Sequence, residues 1–220
     1  MSVYLSVREL AGLALPTGKP DGMFVMLRAY FDDSGSHADS EIVAIGGLVG
    51  TVSQSRVIST SSAIDKRAWD ELVIGENRAW LGDALDVCVE NSLSEAIKIA
   101  GPHPEGDQIA VVFDRGIWTP RLKEVTDGYT YPMGRPRITT VAFSSVEDVL
   151  PLQGADIAAT ENYWHAIKVL RHGFGAQPRA HMRHYLAGIP AEGFLIDRAR
   201  IVEMLPEMEA NVRTLKEQSS

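Results

Sequence analysis

Two short apolar segments that each end in an aspartate constrain the fold of this chain more than any other feature. Residues 23–33, MFVMLRAYFDD, include Asp32, and residues 108–114, QIAVVFD, end at Asp114. Both are predicted to be buried strands. A third aspartate, Asp156, lies in the opening turns of a predicted helix that directly follows another strand. Sites in open α/β sheets form outside the carboxyl ends of strands, so we expect these carboxylates to converge if the strands are neighbours.

The other patterns predict strands that alternate with helices. A polar turn, SGSHADS, joins the first two strands and is short enough for a hairpin. The predicted fold is therefore an α/β mixed sheet, in which an antiparallel hairpin is followed by βαβ units and helices cover the sheet. Predicted strands cover residues 23–33, 41–52, 55–60, 108–114 and 135–145; predicted helices cover 59–72, 81–100, 119–127, 152–170 and 197–216.

Size and composition indicate one ordinary globular domain. The chain has 220 residues, and 45% of them are hydrophobic, which is ample for a core. We expect residues 1–22 to be an N-terminal appendage and residues 23–220 to form a single domain with a C-terminal helical extension. No apolar run is long enough to span a bilayer. Cys88 is the single cysteine, so it is predicted to be a buried hydrophobe in a chain from the reducing cytoplasm.

The net charge of −8 argues against a broad basic surface that coats nucleic acid. It does not argue against a nuclease, because carboxylate ligands of a metal add negative charge themselves. A locally basic segment, residues 170–185, includes Arg171, Arg179 and Arg183 and either follows a phosphate backbone or offsets acidic neighbours. The pair His181 and His184 in this segment is predicted to lie on the surface.

Convergent carboxylates repel one another, which raises the pKa of one or more of them unless a cation is present. Oxygen ligands of this kind suit Mg²⁺ or Mn²⁺. Two such ions roughly 3.5–4 Å apart would stabilise the attacking and leaving oxygens of a phosphodiester. Each aspartate also has a structural alternative: Asp32 or Asp33 starts a turn, Asp114 caps the next segment, and Asp156 favours the positive end of its helix.

Three motifs in the same order resemble a known family. YFDDSG at residues 30–35, IAVVFDR at 109–115 and VEDVLPLQGADIAA at 146–159 are similar to motifs of the bacterial and phage family called domain of unknown function 3800. The resemblance covers about residues 24–170. It implies a ribonuclease H-like fold with two-metal phosphodiester chemistry on nucleic acid.

Matched position by position, the resemblance assigns the acidic metal-binding and catalytic positions to Asp32, Asp114 and Asp156. Asp33 stands where the family usually has the longer glutamate, so it is given an auxiliary role together with Ser34 and Gln153. Sites of this kind often take a fourth carboxylate from the first helix. The candidates here are Glu71, Glu76 and Glu90.

Two alternatives remain open from the sequence. One is a non-catalytic scaffold of the same fold with a vestigial acidic cluster. The other is an adhesion-type metal module, because Asp32, Ser34 and Ser36 form the pattern D-x-S-x-S; that module requires a helix directly after the motif. The four tryptophans, at positions 69, 80, 118 and 164, are predicted to lie in the core or at its rim.

Overall fold

The computed structural model of the chain describes residues 27–51, 56–100, 109–115, 122, 138–179 and 191–218. The strands are β1 (Leu27–Ser34), β2 (Ile42–Thr51), β3 (Arg56–Asp65), β4 (Ile109–Asp114), β5 (Ile138–Ser144) and β6 (Ala191–Ile196). The helices are α1 (Lys66–Leu72), α2 (Gly75–Leu81), α3 (Ala84–Ala100), α4 (Leu150–His172) and α5 (Arg198–Gln218).

The strands form one mixed sheet in the order β5-β4-β1-β2-β3-β6. The first three strands are an antiparallel meander, whereas β4 pairs parallel with β1, β5 parallel with β4, and β6 parallel with β3. The predicted α/β class, a mixed sheet that begins with an antiparallel hairpin and is flanked by helices, is confirmed. Strand β1 lies in the interior of the sheet, with β4 on one side and β2 on the other, so its end has a neighbour on each side.

Each face of the sheet is covered by a different helix, because alternate side chains of a strand point to opposite faces. Phe31, Val43 and Ile45 belong to the larger core with Cys88 and Leu93 of α3. On the other face, Ile42, Ala44 and Ala63 pack against Ala166 and Ile167 of α4. The expected burial of Cys88 is confirmed: its thiol is fully buried, and burial raises its pKa to about 12.

A row of three phenylalanines crosses the ends of β1, β4 and β5 on the α3 side of the sheet. The ring centroids of Phe31 and Phe113 are 5.4 Å apart, and those of Phe113 and Phe143 are 5.9 Å apart, with both pairs stacked. Parallel pairing places Phe31 opposite Phe113 and Phe113 opposite Phe143. Close packing of the rings therefore fixes the register of these three strand ends.

The prediction of a helix over residues 59–72 was wrong in its first half. Residues 59–65 continue β3, which was predicted to end near residue 60, and the helix begins only at Lys66. Ser59, Ser61 and Ser62 lie in a strand that pairs on both sides, with β2 and β6. This strand pairing outweighs the weak preference of the segment for a helix. Asp65 caps the helix: its side chain accepts a hydrogen bond from the backbone N–H of Ala68.

The sequence did not predict β6, which follows residues outside the described part of the chain and pairs with β3. The last helix was predicted, and α5 buries Ile201, Met208 and Val212. Ile201 and Met208 belong to the larger core, so α5 is part of the packed body. The division at residue 22 stays a prediction, since residues 1–26 lie outside the described residues.

Other predictions also fall outside the described residues: the helix over 119–127 except for Leu122, the positions of Trp118 and Arg183, and the His181–His184 pair. Leu122 itself is buried in the larger core. In the described part of the chain, no helix is both long enough and apolar enough to cross a membrane.

Candidate metal centre

Two of the three predicted carboxylates are brought together by the parallel pairing of β1 and β4. Phe31 lies opposite Phe113 in this ladder, so the next residues, Asp32 and Asp114, stand side by side at the strand ends. Both phenylalanine rings point toward α3. Because side chains alternate along a strand, Asp32 and Asp114 point to the other face, which α4 covers.

The third carboxylate comes from α4, which lies unusually close to β2. Asp32 is directly opposite Gly46 in the antiparallel ladder. A Cβ atom at Gly46 would lie 2.0 Å from the backbone nitrogen of Ala159, and one at Gly154 would lie 2.5 Å from the Cδ1 of Leu48. Between these two contacts, α4 therefore packs directly against β2. This is the stretch of α4 that contains Asp156.

The turn after β1 is also held against α4. Gly35 has a φ of +77°, and an added Cβ would lie 2.2 Å from the carbonyl oxygen of Ile42 and 2.7 Å from the Tyr163 ring. Ser40 donates a hydrogen bond of 2.7 Å to the same carbonyl oxygen, and its hydroxyl lies 3.3 Å from that of Tyr163. Glycine is therefore required at position 35 for both its conformation and its size. This turn fixes the end of β1, where Asp32 and Asp33 lie.

Asp32 has the most perturbed carboxyl of the cluster. Its side chain is only 6% exposed. Its pKa is raised to about 7, mainly by burial and in addition by the negative charges of Asp114, Asp156 and Asp33, although the backbone N–H of Asp33 donates a 2.8 Å hydrogen bond to Oδ1 and opposes the rise. A shift of this kind is what a buried carboxylate among like charges undergoes. Asp114 and Asp156 therefore lie close enough for their charges to act on the carboxyl of Asp32.

The three residues predicted to be auxiliary lie in different surroundings. Asp33 points toward the α3 face with its ladder partner Ile45, and burial raises its pKa, with the charges of Asp114 and Asp156 adding to the rise. A hydrogen bond with the side chain of Ser36 acts in the opposite direction. Ser34 lies at the end of β1, and the Nε2 of Gln153 donates a 3.3 Å hydrogen bond to the carbonyl oxygen of Val146. Gln153 therefore holds the segment that leads into α4.

The predicted fourth carboxylate is not found among its candidates. Glu71 is wrong for this role, because both of its carboxylate oxygens accept hydrogen bonds from the guanidinium of Arg198, at 2.6 and 2.7 Å. Arg198 lowers the pKa of Glu71 accordingly. Glu76 and Glu90 are exposed on α2 and α3, and α3 packs on the face opposite to Asp32. The sequence showed that helices follow β3 but not which face they cover.

The donor set fits a hard divalent cation in its chemistry. Asp32, Asp114 and Asp156 offer carboxylate oxygens, and Asp32 is buried beside like charges that a cation would offset. The ligand types therefore suit a cation, but their spacing does not. Within the described ranges, no group of three or more His, Cys, Asp or Glu side chains is arranged to hold a metal ion. The ligand role of these aspartates stays a prediction.

The basic segment mainly offsets acidic neighbours where it is described. Arg171 lies 3.3 Å from a carboxylate oxygen of Glu41, and Arg179 pairs with Glu161 through two hydrogen bonds.

The adhesion-type alternative requires a helix directly after its D-x-S-x-S motif, and this requirement is not met. After Ser36 the chain enters the antiparallel strand β2, and no helix follows the motif before that strand.

Comparison with known proteins adds little to this geometry. No family model matches the chain, and no curated protein matches it. Among solved structures, the ribonuclease H2 from Pyrococcus horikoshii OT3 is similar over 73% of this chain and 85% of that chain, at 15% sequence identity and a TM-score of 0.29. A similarity at this level supports no argument about the site, and membership of the family called domain of unknown function 3800 stays a prediction.

Proposed function

We propose that this chain hydrolyses or transfers phosphodiester bonds of nucleic acid with the help of Mg²⁺ or Mn²⁺ held by Asp32, Asp114 and Asp156. The observation that supports the proposal most directly is the environment of Asp32. Its carboxyl is buried beside the charges of Asp114 and Asp156, an arrangement that opposes its own ionisation. Such an arrangement is unfavourable unless a cation binds there, and perturbed carboxylates of this kind are typical of functional sites.

The chain's own residues position the carboxylates. The backbone N–H of Asp33 fixes Oδ1 of Asp32, and the hydroxyl of Thr160 lies 3.5 Å from Oδ1 of Asp156. Asp33 adds negative charge from the other face of the sheet. When bound, divalent ions supply an activated water and stabilise the charge on the attacking and leaving oxygens. The negative cluster would itself repel a phosphate group, so substrate binding is expected to depend on the metal.

The first test is a crystal grown or soaked with Mn²⁺ and measured for anomalous scattering. One or two peaks among Asp32, Asp114 and Asp156, with ligand distances of roughly 2.0–2.3 Å, would support the proposal. Loss of Mn²⁺-dependent cleavage of labelled DNA or RNA in Asp114→Asn, with an unchanged circular dichroism spectrum, is the matching expectation in solution. Cleavage retained by this variant would contradict the assignment.

A second candidate function is a non-catalytic scaffold whose acidic cluster is vestigial. The observation in its favour is that the described carboxylates are not already spaced as a ligand group. This candidate expects a melting temperature that does not respond to Mn²⁺. It also expects Asp32→Asn, Asp114→Asn and Asp156→Asn to leave every property except stability unchanged.

A further inference from the structure

Trp164 lies on the surface of α4, the helix that also carries Asp156. The indole side chain is 45% exposed, whereas Trp69 is fully buried in the core, as expected for the tryptophans of this chain. Exposing a ring of this size to water is unfavourable. The position of Trp164 therefore needs an explanation other than core packing.

The Trp164 ring is held in place by its neighbours. The Tyr163 ring meets it edge-on, with centroids 5.3 Å apart and planes inclined by 79°. The guanidinium carbon of Arg179 lies 5.7 Å from the centroid of the indole. Arg179 is in turn anchored by Glu161, which is only 6% exposed and accepts a 2.9 Å hydrogen bond from Nε and a second, shorter one from Nη2. The ring is thus fixed before any ligand arrives.

Trp164 also lies within reach of the carboxylates along the same helix. It follows Asp156 by eight residues, which corresponds to about 12 Å along the axis and about 80° around it. That distance is about the rise of three or four stacked nucleotides, at roughly 3.4 Å each. A strand whose phosphate occupies the cluster around Asp32 and Asp156 can therefore place a nearby base on this ring.

We propose that Trp164 is a stacking platform for an unpaired base, and that the substrate is accordingly single-stranded nucleic acid that lies along α4. The inference rests on the proposed function, because it assumes that a phosphodiester reacts at the carboxylates. A stacked base gives affinity without positive charge, which suits a chain of net charge −8 in which Glu161 offsets Arg179. A base inside a duplex has its faces covered, so an intact duplex cannot use the ring in this way.

The test is a binding measurement that does not depend on cleavage. Fluorescein-labelled single strands of DNA and RNA, of mixed sequence, roughly 16 nucleotides long and with phosphorothioate linkages that resist hydrolysis, are titrated with the wild-type chain and Mn²⁺ and followed by anisotropy. Trp164→Ala and Trp164→Leu are expected to weaken binding roughly 5- to 150-fold, the usual range for one stacked base. Trp164→Phe keeps a flat ring and is expected to stay within a few-fold of the parent.

A matched control is Trp80→Ala. Trp80 is 36% exposed, and α2, which carries it, contacts α5. We expect this variant to bind like the parent. The contrast between Trp164→Leu and Trp164→Phe keeps the test valid even if Trp164→Ala does not fold, since both replacements preserve an apolar side chain.

The possible outcomes distinguish a failure of this inference from a failure of the proposed function. If the parent binds single strands and Trp164→Leu binds equally well, the platform is overturned while the proposed function stands. If a duplex of the same length shows the same loss on Trp164→Ala, the single-strand assignment is overturned. If the wild-type chain binds no strand in the presence of Mn²⁺, both the platform and the proposed function are overturned.

Discussion

Asp32 and Gly46 face each other across the β1–β2 ladder, and the missing side chain of Gly46 is what lets α4 approach Asp32. The backbone nitrogen of Ala159 would lie 2.0 Å from a Cβ at position 46. A distance below 3.0 Å to a backbone atom cannot be relieved by turning a side chain. The helix therefore has to move if the glycine is replaced.

Gly46→Ala is expected to displace α4 and to separate Asp156 from Asp32. We expect a loss of about 1–3 kcal/mol in the free energy of unfolding, as for other overpacked sites. Mn²⁺ affinity, measured by isothermal titration calorimetry, should fall together with the stability. Gly175→Ala is the control, because a Cβ at Gly175 meets nothing within 4 Å and its backbone conformation is an ordinary one. Unchanged metal affinity in Gly46→Ala would show that the helix position does not matter for the site.

The metal-free protein is expected to lose stability as the pH rises from about 4 to above 7. The pKa of Asp32 is about 7 in the folded chain and 3.8 in a free carboxyl. Between these values the folded state holds a proton that the unfolded state has released, so raising the pH favours unfolding. The full difference would amount to about 4 kcal/mol, and we expect roughly 1–3 kcal/mol because the carboxylates titrate together.

Urea unfolding in EDTA at pH 5 and pH 8 measures this effect. Asp32→Asn has no carboxyl to ionise, so it should be less sensitive to pH and more stable than wild type at pH 8. Glu207→Gln, which changes an exposed carboxylate on α5, should keep the wild-type dependence. Equal slopes for wild type and Asp32→Asn would contradict the assignment of the effect to Asp32.

Adding Mn²⁺ at pH 8 is expected to raise the melting temperature of the wild-type chain. Binding to the folded state alone contributes about 2.7 kcal/mol at a free ion concentration of 100 times Kd, which corresponds to roughly 5–10 °C for a chain of this size. Asp114→Asn should lose most of the increase. Glu71→Gln should keep it, because Glu71 pairs with Arg198 and not with the cluster. A Glu71→Gln variant that no longer responds to Mn²⁺ would restore Glu71 as the fourth ligand.

Arg179→Ala is expected to destabilise the chain by about 1–3 kcal/mol, because it leaves the buried carboxylate of Glu161 without its guanidinium partner. The loss should be smaller than for a fully buried pair, since Arg179 is partly exposed. Arg200→Ala breaks a comparable pair with Glu203 on the surface of α5 and should cost less than about 1 kcal/mol. Similar losses for both variants in urea unfolding would mean that burial of Glu161 adds nothing to the pair.

Local patterns in the sequence were sufficient to predict the strand that ends at Asp114 and the helix that carries Asp156. The apolar run before Asp114 and the helical period after Leu152 are properties of a few consecutive residues, and both elements are found at these places. The fold class followed from the order of such elements. It did not require knowledge of which residues meet across the sheet.

Features that depend on distant partners were not predictable in the same way. Residues 59–65 form a strand only because β2 and β6 pair with it on both sides, and β6 is recognisable only by that pairing. The exposure of Trp164 depends on which side of α4 faces the sheet. The exclusion of Glu71 depends on Arg198, which is 127 residues later in the chain. None of these relationships leaves a trace in a short window of sequence.

The stacked row of Phe31, Phe113 and Phe143 has a consequence for how robustly the carboxylates are placed. A slip of one residue between β1 and β4 would turn a phenyl ring toward α4 and a carboxylate into the hydrocarbon core, so the rings exclude the misaligned pairing. Stacked phenyl rings have no ionisable group and little sensitivity to salt. The alignment of Asp32 with Asp114 is therefore expected to persist under acidic or high-salt conditions in which the charges of the carboxylates themselves are neutralised or screened.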